Sequence, residues 1–189
     1  MPTLHTARLT LVPLADEHLE LEIELDSDPE VMRYLTGRAA TRAEVEAAHR
    51  RRMVVSPGFG FWMGFAGEDF VGWWILRPPQ GPDQPSVEGD GQAELGYRLL
   101  RRHWRQGYAG EGSRELLRYG FSELGLDRIF AQTMAVNTPS RATMASAGLT
   151  FARAFTSAED FAAVLPGTEQ GEVEYEITRS RWLERAQPG

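Results

Sequence analysis

Hydrophobic and polar positions alternate with a period of two over Arg8–Pro13, the pattern of a half-buried strand, and Pro13 closes it or confines it to an edge. Residues 19–25 read Leu-Glu-Leu-Glu-Ile-Glu-Leu and alternate in the same way. Leucine and glutamate are strong helix formers, however, and Asp16 is a candidate cap, so propensity outweighs pattern and a helix is expected here. Asp28-Pro29-Glu30 sets a capping residue before a first-turn proline, which predicts a short helix through Tyr34 that stops near Gly37. The same acidic stretch lacks the glycine and distal glutamate of a calcium loop. Thr41-Arg42-Ala43-Glu44 is a capping box and opens a further helix to about Met53.

Two aromatic-rich segments, Phe61–Ala66 and Phe70–Leu76, flank Gly67-Glu68-Asp69 and predict a β-hairpin. Pro78 to Gly91 is polar and rich in proline and glycine, the composition of a surface loop. Ala93–Leu100 is a strand, followed by a glycine-bearing turn and a helix whose Leu116, Leu117, Phe121 and Leu124 keep the 3.6-residue period, with Gly125 ending it. Asp127–Met134, Thr150–Phe155 and Glu172–Thr178 are further strands. Pro139–Ala147 is a helix closed by Gly148, Ala158–Gly171 a loop, and Arg181-Trp182-Leu183 a last helical turn. With no repeat and no linker, residues 1–189 are expected to form one mixed-sheet α/β domain.

Composition narrows the function. There is no cysteine, which excludes disulfides, thiolate zinc sites and cysteine nucleophiles, and the cytoplasm is the default location. The first residues lack the basic and apolar regions of a signal peptide, and no apolar run is long enough for a membrane span. A formal charge of -7 disfavours nucleic acid and, at long range, favours cationic partners. His5, His18, His49 and His103 are scattered without metal-ligand spacing, so no metal is implied. A local basic cluster, Arg98, Arg101, Arg102, His103 and Arg105, runs against the overall sign.

That cluster adjoins Trp104-Arg105-Gln106-Gly107-Tyr108-Ala109-Gly110-Glu111-Gly112, between a predicted strand and a predicted helix. Strand, glycine turn and helix form an anion-binding layout, because glycines admit close backbone approach and the first helical turn has unpaired N–H groups. A plain tight turn is the alternative. The spacing matches neither the nucleotide P-loop nor the dinucleotide fingerprint.

From Ala93 to Leu149 the chain resembles the GNAT N-acetyltransferases, in particular the ribosomal-protein N-terminal (Rim-type) branch. The similarity rests on Ala93-Glu94-Leu95-Gly96-Tyr97, Trp104 with Gly107-Tyr108-Ala109, Glu111, Leu124-Gly125-Leu126, Asn137-Thr138-Pro139-Ser140 and Gly148-Leu149. Weaker similarity reaches outwards through Thr6-Ala7-Arg8-Leu9 and Asp28-Pro29-Glu30-Val31-Met32. Arg105 departs from the glycine common at its position, and Gly110 from a threonine; neither change removes a backbone donor.

The resemblance implies a mostly antiparallel, twisted mixed sheet flanked by helices, with splayed central strands and acetyl-CoA entering the gap as co-substrate. Tyr97, Arg98 and Leu99 would bond pantetheine through their backbones, and Arg105, Gln106, Gly107, Tyr108, Ala109 and Gly110 would cradle the pyrophosphate. Asn137 would assist at both the cofactor and the reacting centre. Arg101 and Arg102 would lie near the CoA phosphates or on a solvated face.

Acetyl transfer needs a base for the amine, a donor for the oxyanion and a proton for the departing thiolate. Glu94 resembles the base of some relatives, its alternative being an exposed strand glutamate, and Gln132 stands where another branch keeps a glutamate. The backbone near Tyr97 would serve the oxyanion. Met144 replaces the tyrosine acid of one branch, so Ser140 is expected to stabilise the thiolate; otherwise it caps a helix. Tyr34, Phe59, Phe61, Trp62, Trp73 and Trp74 are divided between core and acceptor pocket. The implied partners are acetyl-CoA and a primary amine, of a small molecule or a protein α-amino group, and a homodimer is compatible with this reading. Transfer of another acyl group, or an acyl-CoA-binding module without turnover, are the competing functions.

Overall fold

The computed structural model describes residues 1–80, 91–156 and 165–186. Its eight strands form one sheet in the order β1-β2-β3-β4-β5-β6-β8-β7. They are β1 (Leu4–His5), β2 (Thr10–Pro13), β3 (Gly60–Ala66), β4 (Asp69–Arg77), β5 (Gln92–Leu99), β6 (Arg128–Met134), β7 (Thr150–Phe155) and β8 (Glu172–Thr178). Every neighbouring pair is antiparallel except β5 and β6. A parallel pair needs a long crossover, and the helix α3 (Tyr108–Ser122) supplies it. The expected fold class holds. β1 was not anticipated: two residues are too short to show a period, and Leu4 pairs with Leu11 only through the sheet.

Helix α1 (Leu19–Asp26) settles the Leu/Glu alternation in favour of propensity. Its inward positions are Glu22, Leu25 and Asp26, spaced three and four apart, so the buried face mixes charge with hydrocarbon and hides the helical period. The helix expected over 28–34 is absent. Asp28 does act as expected at a chain reversal, since its Oδ1 accepts from the Glu30 N–H at 2.8 Å. The following bonds converge on one carbonyl, that of Met32, which accepts from Leu35, Thr36 and Gly37, so turns replace a propagating ladder. Helix α2 (Arg42–Arg52) opens on the expected capping box: Thr41 Oγ1 accepts from the Glu44 N–H at 3.3 Å and Glu44 Oε2 from the Thr41 N–H at 2.8 Å.

The apolar face of α3 buries Leu116, Leu117 and Phe121, as its period requires. Leu124 falls beyond its end and packs from the turn that precedes Gly125. Helix α4 (Thr138–Ala147) closes at Gly148, and α5 (Arg179–Ala186) lays Trp182 against Phe121, 5.4 Å between ring centroids. Much of the expected loop from Pro78 to Gly91, and residues 158–164 of the one expected from Ala158 to Gly171, lie outside the described residues.

The sheet is covered unequally. Trp62, Trp74, Leu95 and Ile129 belong with Leu116 and Phe121 to the larger apolar cluster beneath α3 and α5. On the other face Met63, Trp73 and Ile75 meet Leu25 of α1 in a smaller one. Among the described residues no helix is long and apolar enough to cross a membrane.

Candidate active site

The pairing of β5 with β6 is short. Gln92, Ala93 and Glu94 lie opposite Arg128, Ile129 and Phe130, and there the ladder stops. On its other edge β5 stays paired with β4 as far as Leu99 opposite Gly72, while β6 stays with β8 as far as Met134. The two central strands therefore diverge after Glu94 and leave one edge of Gly96–Leu99 without a strand partner. A cavity of about 1300 Å³ runs through this wedge from the α1/α2 side of the sheet to the α3/α4 side. Pockets for one drug-sized ligand are roughly 300–1,000 Å³, so there is room for two substrates.

At the α3 end, the wall includes Arg105, Gly107, Tyr108, Ala109 and Gly110. Gly107 is the residue before the helix and has φ +83°, a left-handed conformation that glycine adopts without a Cβ penalty. Arg105 also has φ +61°, a left-handed conformation uncommon outside glycine. No side chain caps α3. In contrast, Thr41 caps α2 and Asn137 caps α4, so the first-turn N–H groups of α3 are left for a ligand. Gln106 is not among the residues that line the cavity: its Nε2 donates to the Arg102 carbonyl at 2.8 Å, and the contact expected of it is through the main-chain N–H. Arg101 and Arg102 do not line the cavity either. Arg102 pairs with Glu24 at 2.6 Å and Asp69 at 3.5 Å, because its helical turn faces the β3–β4 hairpin and α1.

Where the strands divide, Glu94 lines the cavity and its Oε2 accepts from Arg77 Nε at 2.6 Å. Tyr97, Arg98 and Leu99 line it, with Asn137 and Ser140 opposite at the start of α4. The Tyr97 hydroxyl lies 3.0 Å from both the Ser140 carbonyl and Ser140 Oγ. Burial pushes the Tyr97 hydroxyl up to about 12, so it keeps its proton over the working range of pH. It is Asn137, not Ser140, that caps α4: Asn137 Oδ1 accepts from the Ser140 N–H at 3.3 Å, and Asn137 Nδ2 donates to Thr133 Oγ1 at 3.0 Å. This corrects the capping alternative for Ser140 and leaves its hydroxyl with Tyr97.

Across the sheet the wall is built on ions. Arg98 Nη1 meets Asp26 Oδ1 at 2.5 Å, Arg52 pairs with both Asp26 and Glu22, and His49 Nδ1 meets Glu22. Glu22 is fully buried. Of the six front aromatics, Tyr34, Phe59, Phe61 and Trp73 line the cavity, while Trp62 and Trp74 are core. Among the described residues the cavity carries six arginines, Arg51, Arg52, Arg77, Arg98, Arg105 and Arg114, against Glu30 and Glu94. Arg114 was legible, since it stands one helical turn beyond Gly110. Arg52 carried no local signal, because its partners are 30 and 26 residues distant. No group of three or more His, Asp or Glu placed to hold a metal occurs among the described residues.

A strand edge opened by splaying, beside an uncapped helix N-terminus on a glycine turn, is the framework of an acyl-CoA-dependent transferase. Residues 8–150 match the family described as "Acetyltransferase (GNAT) domain". The chain is 47% identical over 191 residues to the FsC-acetyl coenzyme A-N(2)-transacetylase of Aspergillus fumigatus, covering 99% of this chain and 80% of the relative. It is 31% identical to an uncharacterized N-acetyltransferase, p20, of Bacillus licheniformis, over 74% of this chain and 78% of that one. The fold matches a spermidine N-acetyltransferase from Vibrio cholerae, solved with CoA and spermine, with a TM-score of 0.75 and 18% identity over 94% of this chain and 99% of that one. The chain belongs to the GNAT acetyltransferase family. It uses acetyl-CoA as co-substrate and transfers the acetyl group to an amine nitrogen.

Proposed function

We propose that the acceptor is the primary amine of a bulky molecule of the kind that the Aspergillus relative is named for, fusarinine C acetylated at N2. The observation that carries this is the extent of the similarity to that enzyme, 47% identity over 99% of the chain.

In this reading residues 1–189 serve as one acetyltransferase unit. Pantetheine lies along the open edge of Tyr97, Arg98 and Leu99, and the pyrophosphate sits on the turn from Arg105 to Gly110, held by N–H groups of the uncapped α3. Asn137 orders the approach of α4 to the thioester. Glu94 takes the proton from the amine, directly or through a water, and the nitrogen attacks the thioester carbon. The tetrahedral oxyanion is stabilised by backbone N–H near Tyr97. As the C–S bond breaks, the Ser140 hydroxyl donates to the thiolate while Tyr97, which has a single proton, donates to Ser140 Oγ. The serine three residues after Asn137 is also what supports placement in the Rim-type branch.

Steady-state release of CoA with fusarinine C, spermidine and an α-amino peptide tests the acceptor. Fusarinine C is expected to give the highest kcat/KM, and a preference for spermidine would overturn the assignment. In the same assay Ser140→Ala is expected to lower kcat about tenfold or more, in the range of a positioned proton donor. Its melting temperature should stay near the parent's, since Asn137 holds the cap. An unchanged kcat would remove Ser140 from the reaction.

A further inference from the structure

Thr6-Ala7-Arg8-Leu9, at the start of the chain, has no part in the reaction just described, yet two of its side chains reach more than a hundred residues ahead. The Glu111 carboxylate, in the first turns of α3, is enclosed by them. Its Oε1 accepts from Thr6 Oγ1 at 2.6 Å and from the Arg8 N–H at 2.9 Å, and its Oε2 accepts from Arg8 Nε at 2.7 Å and lies 2.6 Å from Arg8 Nη2. The remaining arm of the same guanidinium, Nη1, donates to the Gln106 carbonyl at 3.0 Å. The guanidinium also stands 4.5 Å from the centroid of the Tyr108 ring, and its Nη2 is 3.3 Å from where a Cβ on Gly107 would be. One side chain thus grips the residue before Gly107, the ring after it and the carboxylate four residues beyond it. Arg8 does not itself line the cavity and acts from behind the turn.

We infer that Arg8 is a positioning residue for acetyl-CoA, clamping the turn at Gln106-Gly107-Tyr108 in its ligand-ready shape and neutralising Glu111. This rests on the assignment of the pyrophosphate to that turn. Two physical effects act together. The turn contains Arg105 in a left-handed conformation that an arginine adopts at a cost, so it needs an external hold on its carbonyls. Glu111 also competes with the pyrophosphate for the positive field at the helix start, and a guanidinium that meets its Oε2 through both Nε and Nη2 offsets that repulsion. Burial works to raise the Glu111 carboxyl, but the bonds from Thr6 and Arg8 outweigh it and hold it below its ordinary range. The carboxylate is therefore charged whenever the enzyme works, and its neutralisation depends on Arg8.

The experiment compares two acyl donors, acetyl-CoA and S-acetyl-pantetheine, which lacks the pyrophosphate. Arg8→Ala is expected to raise KM for acetyl-CoA about tenfold with kcat within about twofold of the parent, and to leave KM for S-acetyl-pantetheine unchanged. Arg8→Lys, which keeps the charge and loses the fork, should fall between. Adding Glu111→Gln to Arg8→Ala should recover part of the loss. An equal rise in KM with both donors would make Arg8 a support of the fold and overturn the inference, as would an unchanged KM for acetyl-CoA. Gly107→Val separates the two levels. If it raises KM for acetyl-CoA while Arg8→Ala does not, the inference alone fails; if neither does, the pyrophosphate assignment fails with it.

Discussion

Under α3 and α5 the sheet buries Trp74, Leu95, Leu116 and Phe121, and the cavity on that side is bounded by backbone: a glycine turn, an uncapped helix start and an open strand edge. Under α1 and α2 it buries Glu22 and Asp26 against Arg52, Arg98 and His49, and the cavity is bounded by long side chains. Both walls belong to one cavity, but they rest on different forces. On the α3 side the groups offered to a ligand are main-chain ones, whose positions follow from secondary structure packed on hydrocarbon. On the α1/α2 side they are side chains that lose several rotamers when ordered, and buried ions hold them in place. Ion pairs of this kind respond to pH and to single substitutions far more sharply than an apolar layer does.

The largest break in this comparison is expected at Asp26, which holds both Arg98 and Arg52. Asp26→Ala leaves two guanidinium groups without their shared partner and should cost about 3–5 kcal/mol of stability, read from denaturant unfolding. Asp26→Asn keeps a hydrogen-bonding group. It should raise KM for the amine while leaving acetyl-CoA affinity, measured by calorimetry, at the parent's value. Parallel loss of both would show that the two walls are not separable.

A second effect is electrostatic. Burial opposes the charged form of His49, but its bonds with Glu22 and Asp16 outweigh burial and raise it above the ordinary histidine value of 6.5. A group raised on folding contributes stability that is fully present below 6.5 and is lost as pH rises through the folded value. The melting temperature should therefore fall as pH is raised above 6.5, and His49→Gln should flatten that slope while lowering stability near pH 6. A charge-assisted bond of this sort contributes about 1.5–3 kcal/mol. His18, which burial lowers, acts with the opposite sign below 6.5, so the two histidines are separated by scanning both sides of that value.

The smallest effect is on the donor wall. Arg105→Gly relieves a left-handed arginine and should stabilise the fold by about 0.5–1 kcal/mol, the difference between strain removed and chain freedom gained. If the Arg105 guanidinium also meets CoA phosphates, the same variant weakens acetyl-CoA binding as it raises the melting temperature. Unchanged binding would leave the backbone as the sole contact.

The repeating patterns were legible because their causes are local. The 3.6-residue period of Leu116, Leu117 and Phe121, the capping box at Thr41 and the glycine after Tyr97-Arg98-Leu99 each predicted an element or turn that the fold contains. The helix expected after Asp28 failed for a local reason too. A cap and a proline start a turn, but nothing in Val31-Met32-Arg33-Tyr34 sustains a ladder once Met32 takes the bonds of three N–H groups. Arg101 and Arg102 seemed equivalent to Arg105 by charge and neighbourhood, and Ser140 could serve either as a helix cap or as a donor to the thiolate. Orientation around a turn separates these alternatives, and composition does not carry it.

By itself the sequence determined most of the strands and helices, the strand, glycine turn and helix layout at Gly107, and the acetyltransferase family, since period, propensity and spacing are properties of neighbouring residues. Only the tertiary structure decided which side chains meet. Arg8 closes on Glu111, Tyr97 on Ser140, and Arg98 and Arg52 on Asp26 across separations of 26 to 103 residues. Those contacts depend on which face of each strand and helix turns inward and on where β5 and β6 part. Global charge illustrates the same limit: a chain of net charge -7 lines its cavity with six arginines among the described residues, because summed charge says nothing of position.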